Sequence, residues 1–456
     1  MNFLVSKNFA FKIDFFTKGH ERSLKAKKNI LASFIIKGFS ILISLLLVPM
    51  TINYVNPTRY GIWITLSSII GWFSFFDIGF GNGLRNKFAE AIAKGDKKLA
   101  RVYVSTTYAV LSIVIGIVLI LFLFINPFLN WTKILNTPKE MIDELRILAL
   151  IVFVFFCIQF VMQLINTILT ADQKPAKASF FNLLGSIFSL IVLFVLTKTT
   201  QGSLVNLGIT LGFAPILVVA GSSIWFYNRE YKDFAPSLKF IKFSYAKDLM
   251  SLGIKFFLIQ IAAIVLYQTS NIIIAQLFGP AEVTPYNIAY KYFSIITMIF
   301  SILVVPFWSA FTEAWIKKDI MWIRNTMKRL KLLWVLLSIL VIIMLIFSNL
   351  FYRFWVGEEI FVPKSVSIVL AAYVIINAWN GIYCQFLNGV GKIKLQLYSG
   401  IWGMVLNIPM AVYFGKHFGI SGVIFSTVLL GIINMPWTII QYNKIINNKG
   451  KGIWSK

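Results

Sequence analysis

The stretch "FFDIGFGNGLRNKFAEAIAKGDKKLAR", residues 75–101, decides the fold. Its second half, "FAEAIAKGDKKLAR" at 88–101, aligns without gaps on "FTEAWIKKDIMWIR" at 311–324, so that Phe88, Glu90, Ala91, Lys94, Asp96 and Arg101 meet Phe311, Glu313, Ala314, Lys317, Asp319 and Arg324 at an offset of 223. Lys37 and Lys255, and then Lys174 and Lys392, recur at an offset of 218. Each copy lies between long apolar runs. A chain that repeats its own membrane topology in the same orientation predicts two similar lobes about an axis along the membrane normal, with a cavity between them.

Composition sets the solvent. The 456 residues are 58% hydrophobic and only 13% charged, with 43 phenylalanines, and the mean hydropathy is +0.79. A soluble domain carries about a quarter charged residues, so lipid is the medium in which this chain folds. The expected fold class is therefore an all-α polytopic membrane protein. Apolar runs predict twelve spans, at 29–55, 60–80, 102–125, 146–170, 178–197, 203–227, 250–278, 284–311, 331–352, 365–390, 395–415 and 419–441. They divide into a six-helix lobe at 29–227, a linker at 228–249 and a second six-helix lobe at 250–441, with basic tails at 1–28 and 442–456.

The net charge of +26 has two readings. Nucleic acid needs a basic soluble face, and no stretch between spans is long enough to fold into one. Cytoplasmic loops of membrane proteins concentrate Lys and Arg without any partner. Lys7, Lys12, Lys18, Arg22, Lys25, Lys27 and Lys28, then Arg85, Lys87, Lys94, Lys97, Lys98 and Arg101, then Lys317, Lys318, Arg324, Lys328, Arg329 and Lys331, and finally Lys444, Lys449, Lys451 and Lys456 all fall on one side of a twelve-span chain. The opposite loops are poor or balanced, with Arg59 alone, Lys133 and Lys139 against Glu140, Asp143 and Glu144, and Glu282 alone. Both termini are expected in the cytoplasm, and the first span serves as the insertion signal because residues 1–28 hold no apolar core with a cleavage site.

Enzyme chemistry finds no foothold. Cys157 and Cys384 lie inside apolar runs, and His20 and His417 are far apart, so neither pair makes a metal or disulfide framework. No P-loop occurs, and "GFGNG" at 79–83 follows an apolar helix rather than a strand, with Leu84 in place of the third glycine of a dinucleotide fingerprint. No cofactor is expected. Leu84, Phe88, Ile92, Gly95, Leu99 and Val102 form one stripe at helical period, which predicts a single amphipathic helix over 84–101 on the cytoplasmic membrane surface, either as a brace for its lobe or in contact with substrate. Phe311, Trp315, Trp322 and Met327 mark a similar face in the second lobe. Gly79, Gly81 and Gly83 allow the turn into the first of these helices, whose free N-terminus would sit beside Arg85 and Lys87.

Charges inside spans point to a ligand. Lys37, Lys255 and Lys291 lie within apolar runs, and Asp77 lies near the end of the second span. A charge at that depth must snorkel to the interface, find a partner, or face water. Three lysines against one carboxylate make a basic cavity suited to an anionic cargo. For Asp77 the structural alternative is a capping or ion-pair role beside Arg85. Pro49, Pro215, Pro306, Pro409 and Pro436 interrupt spans and permit bending.

A second span ending in "FFDIGFGNGLRNKFAEAIAKGD" resembles the O-antigen repeat-unit flippases of the multidrug/oligosaccharidyl-lipid/polysaccharide exporter superfamily. The resemblance is specific along 75–101 and consistent in span count and repeat over nearly the whole chain. It implies a V-shaped pair of lobes with spans one, two, seven and eight lining the cavity, driven by an ion gradient. The implied cargo is an undecaprenyl-pyrophosphate-linked oligosaccharide moved from the cytoplasmic to the periplasmic leaflet of the bacterial inner membrane, in company with the polysaccharide polymerase machinery. Carried onto this sequence, Lys37, Lys255 and Lys291 would attract pyrophosphate or acidic sugars, Arg59 would stand at the periplasmic mouth, and Arg85 and Lys87 at the cytoplasmic entrance. Asp77 would be the carboxylate for ion coupling. Trp63, Trp72, Gln260, Tyr267, Gln268, Asn271 and Tyr290 are candidates for the sugar. Two relatives of other function compete. A multidrug exporter needs an acid to exchange for protons or sodium, and span one holds Lys37 and no carboxylate. A lipid II flippase usually has two further helices. A channel or structural protein is disfavoured by the repeat.

Overall fold

A computed structural model describes residues 21–77, 79–172, 174–250, 269–304 and 307–455. Among them every regular element is a helix. The first half runs α1 (Glu21–Val55), α2 (Pro57–Gly71), which tightens into a 3₁₀ turn over Trp72–Asp77, α3 (Phe80–Ala93), α4 (Lys97–Ile125), the short α5 (Trp131–Leu135), α6 (Ile142–Met162), α7 (Leu164–Ala171), α8 (Pro175–Thr199) and α9 (Leu204–Asn228). The second half runs α10 (Thr269–Phe278), α11 (Val283–Val304), α12 (Phe307–Ile316), α13 (Ile320–Val356), α14 (Lys364–Val390) and α15 (Lys394–Ile446).

Nine helices among the described residues are long and apolar enough to cross a membrane. One of them, α15, spans 53 residues, about 80 Å at the helical rise and far beyond the ~30 Å hydrocarbon core. Gly419, at φ 66° and ψ −151°, breaks it where the sequence places the boundary between its last two spans. Lipid as solvent also accounts for the outer surface. Phe124, Ile346 and Phe354 are 72%, 70% and 88% exposed on apolar helices, a surface that water would not tolerate over such an area.

Packing separates the chain into two bundles. In the first, α1 packs on α8, α8 on α9, α9 on α6, α6 on α4, and α3 on α4 and α7. In the second, α14 packs on α11, α12, α13 and α15. Aromatic stacks sit at the centre of each, with Phe122 and Phe153 3.9 Å apart in one and Phe311 against Phe386 at 5.5 Å in the other.

The sequence repeat returns as a structural repeat at the level of single hydrogen bonds. Asp96 accepts the Leu99 N–H at 2.8 Å and starts α4, and Asp319 accepts the Trp322 N–H at 2.9 Å and starts α13. The residue before each has positive φ, 76° at Gly95 and 57° at Lys318. The Asp96 N–H bonds to Ala91 O and the Asp319 N–H to Ala314 O, at 3.0 and 2.9 Å. Phe88 and Phe311 are both fully buried.

Two expectations need correction. The helix predicted over 84–101 is two helices, because Gly95 in the left-handed region and the Asp96 cap end α3 and begin α4. Finally, the apolar stripe of α3 does not lie on lipid. Phe80, Leu84, Phe88 and Ala91 are buried against the protein, on the side that packs against α4 and α7.

The segment between the bundles is strapped to the first one. Lys97 pairs with Asp233, the Arg101 Nε–H donates to Ala235 O, and its guanidinium lies 4.4 Å from the Phe240 ring. The Ser237 and Lys242 N–H groups donate to Ser105 and Thr106, and Tyr245 meets Tyr103 edge-on. At its start, Glu230 takes ion pairs from Lys174 and Lys177, and the Tyr231 hydroxyl donates to Asp172. Hydrogen bonds from Lys174 and Lys177 hold the Glu230 carboxyl below its usual range. The strap ends where Leu249 meets Gly83, at which a Cβ would stand 2.1 Å from Leu249 O.

Candidate functional site

The two bundles meet along a seam made by α2 with Pro280–Glu282 and α11, and by α1 with α11 and α13. Sequence dictates how closely they approach. At Gly61 a Cβ would lie 1.8 Å from Pro280 O, so only glycine fits there. Beside it the Thr284 hydroxyl donates to Pro57 O at 2.6 Å. Deeper in, the Asn271 amide donates to Ser68 Oγ at 2.7 Å, and the Asn287 amide donates to Asn271 Oδ1 at 2.8 Å. All three side chains are buried. Asn136 donates to Ala275 O and Gln276 donates to Ile134 O, closing the flank, and the Trp355 indole donates to Leu45 O. These contacts gather at the end of the molecule that carries Pro57 and Pro280. The basic segments, with Lys97 against Asp233 and Arg324 against Asn447, lie at the other end.

The predicted site residues divide by what they touch. Lys37 is exposed on α1 and Lys291 is half-buried on α11, two helices that meet across the seam, and neither ammonium has a partner among the described residues. Arg85 is exposed on α3 and likewise unpaired among them. Lys87, by contrast, pairs with Glu90 at 3.3 Å, and Lys94 pairs with the same carboxylate at 2.7 Å. Hydrogen bonds from Lys94 and then Lys87 hold Glu90 below the ordinary carboxylate range. Arg59 forms a two-pronged pair with Glu144 and also donates to Gly202 O, each at 3.3 Å, tying α2 to α6 and to the start of α9. Lys255, Gln260, Tyr267 and Gln268 lie outside the described residues. Of the sugar candidates, Trp63 is buried, Asn271 is committed to the seam, and Tyr290 packs on Tyr286. The Trp72 indole N–H is buried without an acceptor among the described residues.

The N-terminus of α3 is not free, contrary to expectation. Asp77 Oδ1 accepts the Gly81 N–H at 2.8 Å, so the helix end holds a carboxylate of this chain. The three glycines have three separate reasons. Gly79 supplies φ 81°, Gly81 leaves 3.2 Å for the Asp77 oxygens, and Gly83 admits Leu249. The seam's amides were hidden from sequence reasoning. Their only signal was a cluster of amides and hydroxyls, Thr269, Ser270, Asn271, Thr284 and Asn287, around Pro280 in apolar surroundings.

A two-bundle helical membrane protein with cations unpaired among the described residues, beside a seam that closes at one end, belongs to the class of carriers. The comparisons make the class specific. Residues 26–310 match the polysaccharide biosynthesis protein family, and residues 256–413 match MatE; the chain belongs to the polysaccharide biosynthesis protein family. It is 20% identical over 426 residues to a Salmonella typhi protein assigned as an O-antigen transporter, covering 91% of this chain and 94% of that one. Among solved structures it is similar to the inward-facing conformation of a multidrug resistance MATE family transporter of the MOP superfamily, with a TM-score of 0.74 and 14% identity over 92% of this chain and 100% of that chain. Against the outward-facing conformation of a transporter described in the same words, the TM-score is 0.64 at 15% identity, over 93% and 97% of the two chains. The fold is thus that of MATE transporters.

Proposed function

We propose that this protein is the flippase of an O-antigen pathway. It moves an undecaprenyl-pyrophosphate-linked oligosaccharide from the cytoplasmic to the periplasmic leaflet of the bacterial inner membrane. The observation that carries the reading is the pair Lys37 and Lys291, unpaired among the described residues, inside α1 and α11 where the lobes meet. Cations held in apolar spans without a carboxylate call for an anionic cargo, and pyrophosphate supplies one. A multidrug exporter, which carries cations, would need the opposite charge there. Arg85 on α3 adds a third cation, on the basic side where the cargo enters.

Orientation and state follow from the same reading. Twelve spans with both termini in the cytoplasm put the basic end inside and the Gly61–Pro280 seam at the periplasmic face. A seam closed there is an inward-facing state, which agrees with the higher similarity to an inward-facing transporter. The lobes are 29–227 and 250–441, joined by the strapped segment 228–249. Coupling to an ion gradient belongs to the proposal, with Asp77 as its carboxylate, and the product is handed to a polysaccharide polymerase. The reading is of a carrier rather than an enzyme.

The test is reconstitution of the full chain in proteoliposomes with a fluorescent undecaprenyl-pyrophosphate glycan, scoring leaflet accessibility. Movement of the glycan lipid is expected. Movement of a drug cation and not of the glycan lipid overturns the proposal.

A further inference from the structure

A chamber of about 680 Å³, partly open to the outside, lies in the second lobe between α14 and the two segments of α15. Its size is that of cavities that enclose ligands. No described residue lining it carries a charge. Five amides line it: Asn377, Asn380, Gln396, Asn434 and Gln441. Asn377 and Asn434 make no side-chain hydrogen bond to any described residue. Asn380 gives its amide hydrogen to Gly431 O at 2.9 Å and Gln441 gives its own to Lys392 O at 3.1 Å, while Asn380 Oδ1 and Gln396 Oε1 are buried in the wall without a partner among the described residues. Around these amides stand Trp402, Trp437 and Trp454. The last is held by Trp437 at 5.8 Å and by Lys444, whose ammonium lies 4.0 Å from its ring.

These side chains select an occupant. An amide without a partner in a membrane protein's interior is costly, so a hydrocarbon chain in this chamber would leave Asn377 and Asn434 unsatisfied. An ion would find no counter-charge among the described lining residues. Hydroxyl groups both donate and accept, as amides do, and the flat faces of tryptophan suit the C–H face of a sugar ring. We propose that the chamber is a glycan subsite, holding uncharged sugar residues of the translocated repeat unit apart from the cations Lys37 and Lys291. The inference rests on the flippase reading and names the part of the substrate that the second lobe recognises.

The experiment measures binding of two probes to the full chain in nanodiscs: an undecaprenyl-pyrophosphate carrying a neutral N-acetylated tetrasaccharide, and undecaprenyl pyrophosphate without sugar. Wild type is expected to bind the first at least tenfold more tightly. The double variant Asn377→Leu with Asn434→Leu is expected to abolish that preference and leave affinity for the sugar-free lipid unchanged, which also shows that the variant is folded. Asn377→Gln with Asn434→Gln, which keeps both amides, is expected to retain most of it. Lys37→Ala with Lys291→Ala is expected to weaken both probes alike and to keep the preference. An undiminished sugar preference in the leucine variant means that the chamber holds only water, and overturns the inference. Equal loss of both probes means a lipid-chain site, and also overturns it. If wild type binds neither probe more tightly than a neutral phospholipid, the flippase reading falls as well.

Discussion

Asp77 shows how one side chain carries two assignments that substitution can separate. Its carboxylate closes the N-terminus of α3 through the Gly81 N–H, and it is also the carboxylate proposed for ion coupling. Asparagine caps a helix about as well as aspartate, whereas alanine costs ~1 kcal/mol. Asp77→Asn is therefore expected to keep wild-type thermal stability in detergent but lose the dependence of glycan-lipid movement on an imposed ion gradient. Asp77→Ala is expected to lose both. An undiminished gradient response in the asparagine variant assigns Asp77 to capping alone. Lys37 and Lys291 act as charge: either one changed to Ala is expected to lower glycan-lipid movement at least tenfold in proteoliposomes with insertion unchanged, and Lys→Arg to retain most of it. Wild-type rates after both alanine changes would remove the basic cavity. Arg59 is the counter-example. The sequence marks a lone cation at a loop, but its partner Glu144 lies 85 residues further along the chain, and no local pattern announces a pairing of that kind. Lys87 could have been read more closely, since Glu90 at i+3 is a helical ion-pair spacing.

At the scale of elements, the repeated turn was legible and the helix break within it was not. Gapless alignment at 223 correctly placed Asp96 opposite Asp319, because both copies need the same cap. The break was hidden because the apolar stripe keeps its period across it: Ile92, Leu99 and Val102 continue the phase of Leu84 and Phe88. A glycine followed by aspartate was the better signal, since one supplies positive φ and the other starts the next helix. The two copies solve the same geometry at different cost. Gly95 adopts φ 76° freely, while Lys318 adopts 57° against its own Cβ. Lys318→Gly is thus expected to stabilise the protein by about 0.5–1 kcal/mol, and Gly95→Ala to destabilise it by a similar amount. Thermal unfolding in detergent measures both. Equal and opposite shifts of Tm would show that the turn, rather than the lysine charge, sets the effect; the control is Lys318→Ala, which should leave Tm near wild type.

At the scale of the whole molecule, the two-lobe plan could be read from an internal repeat, but the seam that joins the lobes could not. Its central bond links Ser68 to Asn271, 203 residues apart, and no local pattern ties Ser68 to the polar cluster around Asn271. Alternating access requires that this seam open while the basic end closes. The strap from Glu230 to Leu249 stays with the first lobe through ion pairs and hydrogen bonds to Ser105 and Thr106. The bond Asn271–Ser68 crosses the closed seam, and Asn287, within the same lobe as Asn271, holds that amide in place. A bond between membrane helices is worth about 0.6 kcal/mol, so that losing the one across the seam shifts the balance of the two states about threefold. Asn271→Leu with Asn287→Leu, which removes both bonds at similar side-chain volume, is expected to populate the outward-facing state at the expense of the inward-facing one. Spin labels at Lys98 and Lys328, both exposed at the basic end, report it as a growing short-distance population in pulsed dipolar spectra of the full chain in nanodiscs. Gly61→Ala, which sets a methyl group against Pro280, is expected to move the same population in the same direction without removing a hydrogen bond. An unchanged distance distribution in both variants would mean that the seam's polar bonds and close contact do not govern which way the carrier faces.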